Sequence, residues 1–137
     1  MMIGRGAIRN PWLMLQVGQW LRGEPVTVVD AAERERGLVR YFDTIYEAFH
    51  SERGALDRMK MVTKHFTEDL PFGAGLRTRV LRSGSRAEAY EHTRAYFGLL
   101  REHEGGEPGA LAASEYAQIA REFVQRKQER AERCDCD

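Results

Sequence analysis

Apolar positions recur at helical spacing from residue 10 to residue 125, and no alternating strand pattern follows residue 8. Asn10-Pro11 opens the first helix: asparagine can cap, and proline at the first helical position gives up only an orphan N–H. That helix is predicted to pass through Trp12, Leu13, Leu15, Val17 and Trp20 to Leu21, and to stop at Gly23-Glu24-Pro25. Thr27 and Asp30 form a capping-box variant for a second helix over 28–50. Its stripe of Ala31, Leu38, Phe42, Ile45 and Phe49 lies on one face. A third helix is predicted over 55–70, with Leu56, Met59, Val62, Thr63, Phe66 and Leu70 inward and Pro71 at its end. A short helix over 76–82 follows the turn at Gly73 and Gly75. Ser85 and Glu88 then make a capping box for a helix through Tyr90, Thr93, Tyr96, Phe97 and Leu100.

Residues 104–109, with three glycines and a proline, read as a linker. A last amphipathic helix carries Leu111, Tyr116, Ile119, Phe123 and Val124, then frays through the solvated run 125–133. Trp12, Trp20, Tyr41, Phe42 and Phe49 are expected in the core. The fold class this pattern predicts is all-α, a bundle of about five to six helices. Ahead of it, Met1–Ile3 reads as a strand stub entering a glycine turn. The 137 residues suffice for one core and fall short of the roughly 200–250 of a complete (β/α)8 barrel.

Lysine plus arginine and aspartate plus glutamate both number 21, so whole-chain charge says nothing about an acidic partner. Its distribution does. Residues 53–86 carry eight basic and three acidic side chains, whereas acidic residues prevail after residue 86. Arg53, Lys60 and Lys64 share a helical face, and Arg77, Arg79, Arg82 and Arg86 follow. Several cations on one face neutralise nucleic-acid phosphates; the alternative is a solvated charged surface. His65, beside Lys64, is a further candidate phosphate contact. Cys134 and Cys136 offer two thiolates where a structural zinc takes four ligands, and His50, His92 and His103 show no ligand spacing. Arg5, Arg9 and Pro11 interrupt the apolar N-terminus, and no run reaches the ~18 apolar residues of a membrane span. The expected setting is cytoplasmic.

Gly4-Arg5-Gly6-Ala7 ahead of a helix makes an anion nest, because backbone amides approach phosphate oxygens where no Cβ intervenes. The whole string Met2-Ile3-Gly4-Arg5-Gly6-Ala7, continued by Asn10-Pro11-Trp12, resembles the end of the flavin barrel in tRNA-dihydrouridine synthases. Lys60, Lys64-His65, Leu70-Pro71, Leu76-Arg77 and Tyr96-Phe97 are similar to that family's C-terminal helical domain, so the likeness covers about residues 1–97. Where the family commonly has a Trp-Tyr pair after the Lys-His, this chain has Glu68-Asp69.

The resemblance implies three segments: a barrel remnant over 1–24, with the last strand, phosphate loop and following helix; a tRNA-binding-like helical domain over 25–103; and a linker with a C-terminal helix over 104–137. It implies FMN as cofactor, with Gly4 and Arg5 on its phosphate, and NADPH as reductant of the whole enzyme. It also implies tRNA as partner, held by Lys60, Lys64, His65, Arg77 and Arg79. The family reduces uridine in tRNA to 5,6-dihydrouridine, using a catalytic cysteine on a barrel loop that this sequence does not contain. Catalysis is therefore not expected of this chain alone, and a missing barrel portion or self-association is the expected protein partner. Two other readings stand beside it, a stand-alone helical RNA-binding module and a helical protein-interaction domain.

Overall fold

The structure is a computed structural model and describes residues 4–134. The expected strand stub Met1–Ile3 and Cys136 lie outside those residues. The described chain is all-helical, with no strand. Eight helices follow in order: α1 Gly6–Arg9, α2 Leu13–Leu21, α3 Ala31–Ala48, α4 Glu52–Phe66, α5 Gly73–Arg82, α6 Arg86–Glu104, α7 Pro108–Ala113 and α8 Glu115–Cys134. Two more helices form than the five to six expected. One is the single turn α1. The other arises because Ser114 splits the last helix: its hydroxyl donates to the Leu111 carbonyl at 2.6 Å and accepts from the Ala117 amide at 3.3 Å. The expected 104–109 linker shrinks to a short turn, since Pro108 already starts α7.

Side-chain caps fix three further helix starts. Asp30 accepts from the Glu33 amide at 2.8 Å, Ser51 from Gly54 at 3.1 Å and Ser85 from Glu88 at 3.3 Å. Glu88 reaches back to the Gly84 amide at 2.9 Å, completing a close variant of the capping box. Because Asp30 alone caps α3, that helix begins at Ala31 rather than 28. Thr27 is drawn instead to α2: the Gln19 side chain bonds both its amide and its hydroxyl at 2.8 Å, and Gln16 donates to its carbonyl at 2.8 Å. Ser51 likewise starts α4 three residues before the expected Ala55, and α4 ends at Phe66 rather than Leu70.

One core joins α3 to α8: Leu38 and Phe42, Met59 and Phe66, Leu76 and Val80, Tyr96, Phe97 and Leu100, then Leu111 and Tyr116. Its polar members are satisfied locally. Thr63, Thr67 and Thr93 each donate to the carbonyl four residues back at 2.8–2.9 Å. The buried Tyr96 hydroxyl donates to the Pro71 carbonyl at 2.6 Å. Helices α5 and α8 approach backbone to backbone. A Cβ on Gly75 would stand 2.0 Å from the Tyr116 carbonyl oxygen, and one on Gly73 would stand 2.1 Å from that of Thr67.

Trp20 and Phe49 do not join this core, contrary to expectation; both are exposed, and Trp12 and Tyr41 are half-buried against its edge. Phe49 lies past the last turn of α3 in extended backbone. Trp20 points outward because α2 turns its two glutamines toward the 24–30 strap.

Two outcomes follow from this packing. Gly75→Ala should lower stability by about 3 kcal/mol or more, because backbone rather than a flexible side chain blocks the new methyl. Gly84→Ala, which meets nothing within 4 Å, should stay within about 0.5 kcal/mol; denaturant melts of the two variants decide. Burial pushes the Tyr116 phenol up to about 12 and raises Tyr96 as well. An unfolded tyrosine ionises near pH 10, so above about that pH the unfolded chain sheds protons that the folded one retains. Stability contributed by these phenols is full below about pH 10 and should be lost as pH rises from there through about 12, a loss reduced in Tyr116→Phe.

Candidate functional site

Gly4 has φ +49°, and its carbonyl accepts from the Ala7 amide at 3.2 Å, so the glycine turn passes directly into α1. A Cβ at Gly4 would meet nothing within 4 Å; the glycine is required by its left-handed backbone, not by crowding. Arg5 is the exposed N-cap of α1. One helical turn has little macrodipole, so any anion here would rest on turn amides and the Arg5 guanidinium.

Asn10 then stabilises a turn rather than starting the next helix at Pro11. Its side-chain oxygen accepts from the Trp12 amide at 3.2 Å, its amide group donates to Gln16 at 2.7 Å, and α2 begins at Leu13.

Four charged or titratable residues tie this segment to α4. Arg9 pairs with Glu68 and lies 3.5 Å from Asp69, while His65 Nδ1 lies 3.0 Å from Glu68. The hydrogen bond from Arg9, reinforced by His65, holds the Glu68 carboxyl below its ordinary range. Glu68-Asp69 thus clamps α1 through Arg9. His65 is a member of that clamp, with a side chain only 14% exposed.

The basic block divides in space. Lys60 and Lys64 stand one turn apart on α4, Lys64 exposed and Lys60 half-buried, and neither enters an ion pair among the described residues. Lys60 borders a groove of about 550 Å³ together with Arg53, Asp57 and Gly84. Two of the three arginines of α5 are engaged elsewhere: Arg79 pairs with Glu115 and the Arg77 guanidinium lies 5.7 Å from the Phe123 ring, both on α8. Arg86 bonds Asp43 at 3.1 Å and stacks 3.9 Å over Tyr46. The sequence therefore overstates the shared face, because partners distant along the chain claim its second half.

A cleft between α3 and the start of α2 was not anticipated. It encloses about 580 Å³ and is bordered by Trp12, Arg36, Gly37, Arg40, Tyr41 and Thr44. The available signal was Gly37 amid helix-forming residues, which marks a close approach: its Cβ would stand 2.8 Å from the Trp12 ring. Neither this cleft nor the Lys60 groove reaches Gly4 or Arg5. The turn amides there fit a phosphate, but nothing in either groove encloses a flavin ring beside them, and no flavin chemistry is derived from this chain.

The clamp yields a local prediction. Glu68→Ala should leave the melting transition nearly unchanged, since the pair is solvent-screened, yet speed amide hydrogen exchange in Ile8–Asn10. Unchanged exchange there would mean that packing alone holds α1.

Comparison of the chain with models of protein families, with curated proteins and with solved structures finds no match in any of the three.

Proposed function

We propose that this chain is the C-terminal portion of a tRNA-dihydrouridine synthase-like flavoenzyme, docking on a flavin barrel and presenting a basic surface to tRNA. One observation carries the reading: α2 is inside out. Its only polar side chains, Gln16 and Gln19, face the 24–30 strap, while Met14, Trp20 and Leu21 are 61%, 70% and 71% exposed. No residue from Gly4 to Val28 is buried. A charge-free apolar helix of this kind is stabilised by covering it, because burial contributes about 25 cal/mol per Å². Only the single turn α1 and the Asn10 turn separate it from Gly4-Arg5, so a body seated on it lies near the candidate phosphate contacts. A barrel whose last strand leads into Gly4 is such a body. A bilayer surface is a poorer fit, since α2 lacks the lysines and arginines that an interfacial helix sets on its polar face.

Within that enzyme a bound FMN would supply the reducing chemistry, and the acid would come from the barrel. The residues of this chain bind and orient. Gly4 and Arg5 take the cofactor phosphate; Lys60 and Lys64 hold the tRNA backbone. His65, Arg77 and Arg79 act through the contacts that already engage them, and are proposed as supports of that surface.

The test is a tRNA titration at several salt concentrations. Changing Lys60 and Lys64 together to Glu should weaken binding and flatten the log–log salt slope by about two units or somewhat less, with folding unchanged. Changing Lys127 and Arg130 to Glu should matter little. Equal effects from both pairs would overturn the assignment. A second arm supplies a family barrel lacking its own C-terminal portion: FMN retention should then require this chain and be lost in Leu21→Lys. A chain that self-associates through α2 and ignores the barrel would favour the interaction-domain reading.

A further inference from the structure

We infer that the cleft between Trp12 and α3 is a binding site for a nucleotide, seating a base against Trp12 and Tyr41 and its phosphate on Arg40 and Arg36. Two aromatic side chains are fixed at its base. Trp12 and Tyr41 each meet Phe66 edge to face at a centroid distance of 6.5 Å, and Phe66 belongs to the buried core. Trp12 cannot retreat toward α3, because Gly37 already lets it lie directly on that helix backbone. Half-buried rings anchored from below offer a preorganised platform, and stacking on such platforms accepts any base.

The charge beside the platform is net positive: Arg36 and Arg40 line the cleft with one carboxylate, Glu33. Arg36 and Arg40 stand one helical turn apart, about 6 Å along α3. Glu33 occupies Arg36, with one contact at 3.1 Å and a second, shorter one. Arg40 is exposed and enters no ion pair among the described residues, so it is the cation available to a phosphate. A planar apolar group flanked by a dianion is the ligand that satisfies both parts, and the volume of about 580 Å³ accommodates a mononucleotide. An adjoining depression along α3 shares Trp12, Glu33 and Arg36 and adds a second carboxylate, Asp30, so a strand would leave the cleft by the opposite end, toward Thr44.

The site is separate from Lys60 and Lys64 and does not depend on a barrel; it shares with the preceding reading only RNA as one source of the nucleotide. Trp20→Phe in the full chain leaves Trp12 as the sole tryptophan. Its emission should be quenched by uridine monophosphate and by a short single-stranded oligouridylate, but not by inorganic phosphate. Arg40→Glu, checked for retained helicity, should weaken both responses at least tenfold, whereas changing Lys60 and Lys64 to Glu should leave the mononucleotide response intact. A Trp12 signal unmoved by either nucleotide, or unaltered affinity in Arg40→Glu, overturns the site. If tRNA binding is lost with Lys60 and Lys64 while Arg40→Glu binds tRNA, the mononucleotide and the strand all as before, the cleft fails and the tRNA surface stands. Response to the mononucleotide without the strand supports the cleft and makes free nucleotide its source.

Discussion

The arrangement of the bundle depends on the contact between Gly75 and the Tyr116 carbonyl. At that point two helix backbones touch with no side chain between them, which only glycine allows. It seats α8 on α5 and draws Tyr116, Ala117 and Ala120 into burial. With α8 in place, Tyr116 meets Tyr96 edge to face at 5.6 Å, and Tyr96 anchors the Pro71 turn from inside. A residue pair in the C-terminal third thereby fixes a turn in the middle of the chain. Phe72, left-handed at φ +54° just after that turn, is held by the same packing, with Arg121 of α8 5.6 Å from its ring.

That contact also decides the charge pattern. Docking α8 brings Glu115 to Arg79 and Phe123 to Arg77, so two cations that look available in the sequence are matched by an acidic and an aromatic neighbour. The acidic excess after residue 86 is thus partly spread over the basic block rather than segregated from it. Lys60 and Lys64 escape because they project from α4. The cations left for a polyanion are accordingly fewer than the count of eight basic residues implies, and are those that enter no ion pair among the described residues.

What was legible in the sequence is what neighbouring residues settle among themselves. Ser85 with Glu88, and the Leu38–Phe42 stripe, act within one or two helical turns, and both appear in the structure as read. Thr27 failed as a cap because Gln19, eight residues earlier, captured it. Trp20 failed as a core residue for the same cause, since periodicity reveals that a helix has an apolar side but not which side meets the bundle. Of the candidate site, the Lys60–Lys64 spacing was legible because four residues make one turn. The Arg9–Glu68 clamp, 59 residues apart, and the facing of Trp12 onto Gly37 were not, because only the folded chain brings them together.

The N-terminal segment and the bundle therefore obey different rules. Every buried side chain described comes from Val29 onward, so α3 to α8 bury their apolar residues among themselves. Residues 4–28 attach to them through a few contacts at one edge: Trp12 on Gly37 and Phe66, Ile8 against the core, and Arg9 on Glu68. Contacts this sparse open at lower free energy than the bundle does, which makes the segment the part most readily repositioned by a partner. The aromatic cleft lies on this seam, with Trp12 from one side and Arg40 from the other.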